Sequence, residues 1–231
     1  MPNPLEALIF YAVFLFSTTL HEAGHAWAAK KGGDLTAYMG GQVSINPMPH
    51  IRREPFGMVL LPLATVFLSG WPFGFASAPY DPSWARRYPG RAAAMSLAGP
   101  GANLLLVLAA AFVMRTGVGL GWFQAPASVH FSQVTAGAEQ GWGGAAFVLS
   151  VFFSLNLVLF LLNILPVPPL DGSGVLPLLL GPDRTRQYQK IFYQPMMGWV
   201  GILVAWRIFG VAWQPFFLFV VNLLYPDAHY G

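Results

Sequence analysis

Residues 7–31 read ALIFYAVFLFSTTLHEAGHAWAAKK, and this stretch decides the fold. Ala7 to Ala29 is an apolar run that ends at Lys30-Lys31. A helix rises 1.5 Å per residue, so a run of this length crosses a hydrocarbon core of roughly 30 Å. It lacks the basic start of a signal peptide. Its second half carries His21, Glu22 and His25 where a cleavage site would need small residues. The run is therefore predicted to be a transmembrane helix with three ionisable side chains inside it.

Composition points the same way. Of 231 residues, 9% are charged and 55% hydrophobic, and the mean hydropathy is +0.55. Soluble proteins carry roughly 25% charge, so too little polar surface remains to face water. Disorder is excluded, because disordered chains are rich in charge and poor in aromatics. The absence of cysteine rules out disulfides, zinc ribbons and thiol catalysis. The net charge of +3 rests on twelve basic residues, most of them beside apolar runs. They read as topology signals and not as a nucleic-acid surface.

Working outward from the first span, Gly32-Gly33, Gly40-Gly41, Pro47 and Pro49 break any helix over residues 32–55. The short β-prone piece Gln42-Val43-Ser44-Ile45 predicts a small hairpin or a re-entrant element there. Met58 to Trp71 is apolar but short, with basic residues on both flanks (Arg52-Arg53 before; Arg86, Arg87 and Arg91 after). Such flanks favour a segment that dips in and returns, with a tilted crossing as the alternative. Ala92–Met114 and Gly144–Leu165 are predicted spans, separated by a glycine-rich outer loop at 116–142. Residues 191–225, interrupted by Arg207 and Pro215, form either one long span or a hairpin of two. The fold expected is an all-α polytopic membrane bundle, a single membrane-embedded domain over residues 1–231. Lys30, Arg91 and Arg184 are expected on the cytoplasmic side.

Chemistry concentrates in His21-Glu22-Ala23-Gly24-His25. Histidines at i and i+4 share one helix face, so both imidazoles can bind one zinc ion. The glutamate beside the first histidine can act on a metal-activated water. Unpaired polar side chains inside a span are costly and are presumed functional. A catalytic zinc site takes three protein ligands, and without cysteine the third must be His, Asp or Glu. Asp171 follows a proline-broken turn after an apolar span, and His50 lies in the break Asn46-Pro47-Met48-Pro49-His50. On spacing alone, Asp171 is equally a ligand or a helix cap.

Those histidines, together with Asn163-Ile164-Leu165-Pro166-Val167-Pro168-Pro169-Leu170-Asp171-Gly172, resemble the site-2 protease family of intramembrane metalloproteases. Every fixed position of the family's N-x-x-P-x-x-x-L-D-G motif is matched. Weaker matches stand in order at Gly33-Asp34-Leu35-Thr36-Ala37, at Asn46-Pro47 with His50, and at Ala98-Gly99-Pro100 with Asn103. The resemblance runs from about residue 7 to residue 174. It implies one zinc per chain held by His21, His25 and Asp171, with Glu22 as the catalytic base. It further implies Asn163 and Pro166 as substrate-positioning residues, and His50 is added as a candidate donor. The implied activity is hydrolysis of peptide bonds within or near transmembrane segments, as in regulated intramembrane proteolysis, in a prokaryotic inner membrane. The implied partners are a transmembrane protein substrate and the lipid bilayer, with no nucleic acid and with room for a homo-oligomer. The 116–142 loop is too short for a PDZ domain, and no CBS domain follows residue 225, so a minimal form is expected. The competing reading is a zinc-binding scaffold without activity, or a transporter. Glu22 argues against it, because neither needs a general base beside a ligand.

Overall fold

The computed structural model describes residues 3–192 and 194–231. Helix α1 (Pro4–Lys31) opens with the Asn3 side chain accepting from the Leu5 amide at 3.0 Å, and closes on Lys30 and Lys31. Its acidic first turn (Glu6) and basic last turn complement the helix dipole. Two short helices follow, α2 (Thr36–Met39) and α3 (Met48–Arg53). A π-helical turn (Phe56–Leu60) then runs into α4 (Leu61–Ser69). Helices α5 (Pro82–Arg87) and α6 (Pro89–Gly119) come next. Strands β1 (Phe123–Gln124) and β2 (Ala136–Gly137) pair antiparallel within the loop to α7 (Gly143–Asn163). A 3₁₀ turn at Asp171–Val175, helix α8 (Leu176–Phe192) and helix α9 (Pro195–Leu224) complete the chain. Helix α8 is broken at Gly181, whose φ of 73° and ψ of 172° only glycine adopts readily.

Among the described residues, four helices are long and apolar enough to cross a bilayer: α1, α6, α7 and α9. The chain is a multi-pass membrane protein. Helix α1 lies against α6 through small residues: a Cβ on Gly24 would stand 2.8 Å from the Ala98 carbonyl oxygen and 3.4 Å from the Ala102 Cβ. Without such side chains the backbones approach closely, as helix packing in lipid requires. Helices α6, α7 and α9 share a core of Val107, Met114, Phe153, Leu157, Phe217 and Val221.

Two expectations are corrected or settled. No strand forms within residues 32–55 among the described residues, where α2 and α3 stand in place of the expected hairpin. Pro47 and Pro49 sit at the start of α3, where a missing N–H costs nothing. The Gln42 side chain donates to the Ser77 carbonyl at 2.8 Å, so the β-prone piece is tied to a distant loop and not to a neighbouring strand. The two-stranded sheet lies instead in the loop before α7. Residues 195–224 form one helix, with Pro215 inside it.

The apolar segment at 56–69 turns back. Fourteen residues of helix reach about 21 Å, short of a roughly 30 Å core. The chain reverses at Gly70 (φ 75°) and returns extended, with the Phe75 amide donating to the Gly57 carbonyl at 3.1 Å. Arg53 Nε donates to Ser77 Oγ at 3.0 Å, and Ser77 Oγ donates to Glu54 Oε1 at 2.7 Å, so both ends of the excursion meet.

The basic end of the bundle is tied by Asp34, which is buried. It accepts from the Thr36 amide at 2.9 Å and the Asp81 amide at 2.8 Å. Burial alone would raise its pKa; the hydrogen bonds from Thr36 and Asp81 outweigh this and hold it below the ordinary carboxylate value.

Candidate metal centre

His21 and His25 stand one turn apart on α1, both buried. Asp171 meets them from the 3₁₀ turn that follows α7. His21 Nε2 lies 3.0 Å from Asp171 Oδ2, His25 Nε2 lies 3.2 Å from the same oxygen, and the two Nε2 atoms are 3.0 Å apart. Local sequence explains the approach. Residues 164–170, with Pro166, Pro168 and Pro169, cannot continue α7. Gly172 packs its backbone onto the Ile164 carbonyl, where a Cβ would collide. The cap position of the 3₁₀ turn is Leu170, so the Asp171 carboxylate is free to face the imidazoles.

The donor set fits a metal ion. His25 Nδ1 donates to the Met95 carbonyl at 2.7 Å, and His21 Nδ1 donates to Asn103 Oδ1 at 2.6 Å. Each neutral imidazole therefore turns the lone pair of Nε2 inward. Asp171 Oδ2 is buried and has no hydrogen-bond partner among the described residues. Three lone-pair atoms crowded together in this way repel one another unless a cation sits among them. Two neutral imidazoles and a carboxylate match the ligand chemistry of catalytic zinc. The space is kept by Gly99 on α6: a Cβ there would stand 2.6 Å from His21 Nε2 and would collide with His25 Nε2.

The remaining sequence candidates are placed as follows. Glu22 is buried on α1 next to His21. Asn163 is the last residue of α7 and half-buried, and Pro166 is exposed in the segment leading to Asp171. His50 is buried but lies outside the His–His–Asp group; its Nε2 donates to the Ser44 carbonyl at 3.1 Å, which holds the loop before α3. Gly99 and Asn103 stand at the metal centre although the sequence alone gives neither a role there. The one available signal was the weak Ala98-Gly99-Pro100 match with Asn103.

The chain is similar to known proteins. The model of peptidase family M50 matches residues 9–205. The YwhC protein of Bacillus subtilis, named as a zinc metalloprotease, is 32% identical over 82% of this chain and 78% of its own length. The Rip2 protein of Mycolicibacterium smegmatis, named likewise, is 30% identical over 78% of this chain. The chain spans 60% of that relative's length. No solved structure matches the chain. On the family match and the zinc-competent centre together, the chain belongs to peptidase family M50, the site-2 protease family of membrane zinc metalloproteases.

Proposed function

We propose that this protein hydrolyses peptide bonds within or near the transmembrane segments of other membrane proteins, in a bacterial cytoplasmic membrane. The observation that carries the reading is the convergence of His21, His25 and Asp171 on one point, with the two histidines inside a helix long enough to span the bilayer. A catalytic centre set at that depth is matched to a substrate that lies in lipid.

His21, His25 and Asp171 would hold the zinc. When bound, zinc supplies a Lewis acid that lowers the pKa of water towards neutrality and stabilises negative charge on an attacked carbonyl. Glu22 takes the proton of the attacking water and returns it to the leaving amine. Asn163 and Pro166, on the segment leading into Asp171, hold the substrate strand beside the metal. The substrate must be locally unwound, because a helical peptide ties its carbonyls into the i→i−4 ladder.

Glu22→Gln tests this. It keeps the size and hydrogen-bonding capacity of the side chain but cannot accept the proton. Cleavage of a model transmembrane substrate in vesicles should fall by about 10²–10⁴-fold, while zinc content by elemental analysis stays at wild type. Cleavage at the wild-type rate would overturn the role of Glu22. Loss of zinc together with activity would assign it to the metal site itself.

A further inference from the structure

Behind His21 runs a chain of hydrogen bonds whose direction is fixed by a backbone carbonyl. Asn156 on α7 donates from Nδ2 to the Phe152 carbonyl at 2.8 Å and to Ser17 Oγ at 2.9 Å. A carbonyl oxygen only accepts, so the amide nitrogen of Asn156 must face it and its Oδ1 must face the other way. That oxygen accepts from Asn103 Nδ2 at 2.9 Å, and the same nitrogen lies 3.5 Å from the Ser17 carbonyl. Both bonds orient the Asn103 amide. Its Oδ1 is thereby the atom presented to His21 Nδ1 at 2.6 Å. Ser17, Asn103 and Asn156 have no exposed surface. Reversing either amide would strand donors and acceptors in an apolar interior, where unpaired polar groups are costly.

We propose that Asn103 is a positioning residue of the metal centre, with Asn156 and Ser17 as its anchor. Asn103 holds the proton of His21 on Nδ1 and fixes the plane of the ring, so that Nε2 is always the ligand atom. Outer partners of this kind set the tautomer and orientation of metal-binding histidines. His25 needs no such relay, because its Nδ1 reaches the Met95 carbonyl directly. The relay draws one residue from each of α1, α6 and α7, so the three spans meet in register at the first ligand. This role rests on the reading of His21 as a zinc ligand.

The test uses the full chain in detergent, with zinc affinity read by competition against a chelator and coordination read by the visible spectrum of the cobalt-substituted protein. Asn103→Leu should weaken zinc binding by about 10–100-fold and shift the cobalt bands, with helicity unchanged. Asn103→Asp keeps an oxygen acceptor for His21 Nδ1 but loses the donor that meets Asn156 Oδ1, so it should bind more tightly than Asn103→Leu and less tightly than wild type. Asn156→Leu should cause a smaller loss. Asn103→Leu combined with Asn156→Leu should bind no worse than Asn103→Leu alone, because Asn156 acts only through Asn103. Wild-type affinity and spectrum in Asn103→Leu would overturn the proposal. So would additive losses, or an Asn103→Asp variant as weak as the leucine one. Should Asn103→Leu fail to fold, Asn103→Asp and Asn156→Leu still decide. His21→Ala separates the two levels: if it keeps zinc, the ligand reading itself fails. If it loses zinc while Asn103→Leu does not, only the relay fails.

Discussion

A single missing side chain makes room for the metal. Gly99 lets α6 lie against the histidine face of α1, and any Cβ there would enter the space between the two Nε2 atoms. Gly99→Ala should therefore lower zinc affinity by about 100-fold or more, the upper range for disturbing the surroundings of a ligand, while the helix content holds. Elemental analysis beside circular dichroism checks this; full zinc occupancy in the alanine variant would show that α6 can retreat. The histidine pair was legible in the sequence because its spacing is a local property of a helix. Asp171 was legible only as one of two alternatives until the whole motif around it was considered. Gly99 and Asn103 were not legible as parts of the centre, because their roles exist only once α6 is laid against α1, some eighty residues away in the chain.

At the scale of elements, the excursion at 56–69 was predicted from charge and length, and the structure gives the mechanics of its return. Gly70 supplies the positive φ of the reversal, and Thr65 Oγ1 accepts from the Phe73 amide at 2.8 Å to hold the returning segment against α4. The tip of the excursion is aromatic. Trp71 packs on Phe131 with ring centroids 4.4 Å apart, and Phe131 stacks on Phe10 of α1 at 5.9 Å. Arg53→Cys and Arg86→Cys, each introduced alone into this cysteine-free chain, should react with an impermeant maleimide from the same side of sealed vesicles. Labelling from opposite sides would make the segment a crossing. At 32–55 the hairpin alternative fails for a physical reason. β propensity describes a half-buried pleated surface. Among the described residues no strand lies alongside, and polar contacts from Gln42 and His50 hold the segment instead.

For the whole molecule, hydropathy alone counts spans well because each must bury its own backbone hydrogen bonds. What hydropathy left open was residues 191–225, since Arg207 and Pro215 look like interruptions. Within a helix already thirty residues long, one proline removes a single ladder bond and leaves the rest in place. One helix instead of two sets the side on which the chain finishes. Four crossings put residues 225–231 at the same end as the loop between α6 and α7, and the contacts agree: Tyr230 Oη donates to the Pro126 carbonyl at 2.6 Å, and Arg115 Nη1 donates to the Leu224 carbonyl at 3.1 Å. The opposite end gathers Lys30, Arg86, Arg87 and Arg91, which the positive-inside rule assigns to the cytoplasm. Ser128→Cys and His229→Cys should thus label from the exoplasmic side, and Arg184→Cys from the cytoplasmic side. Reaction of the residue-229 cysteine from the cytoplasm would mean that α9 does not cross, and reaction of both outer positions from the cytoplasm would invert the molecule. The orientation bears on the chemistry. His25 lies six residues before Lys31, about 9 Å along the helix, so the His21–His25–Asp171 group sits near the basic end. On the mechanism proposed above, water for hydrolysis would have its short path from that end.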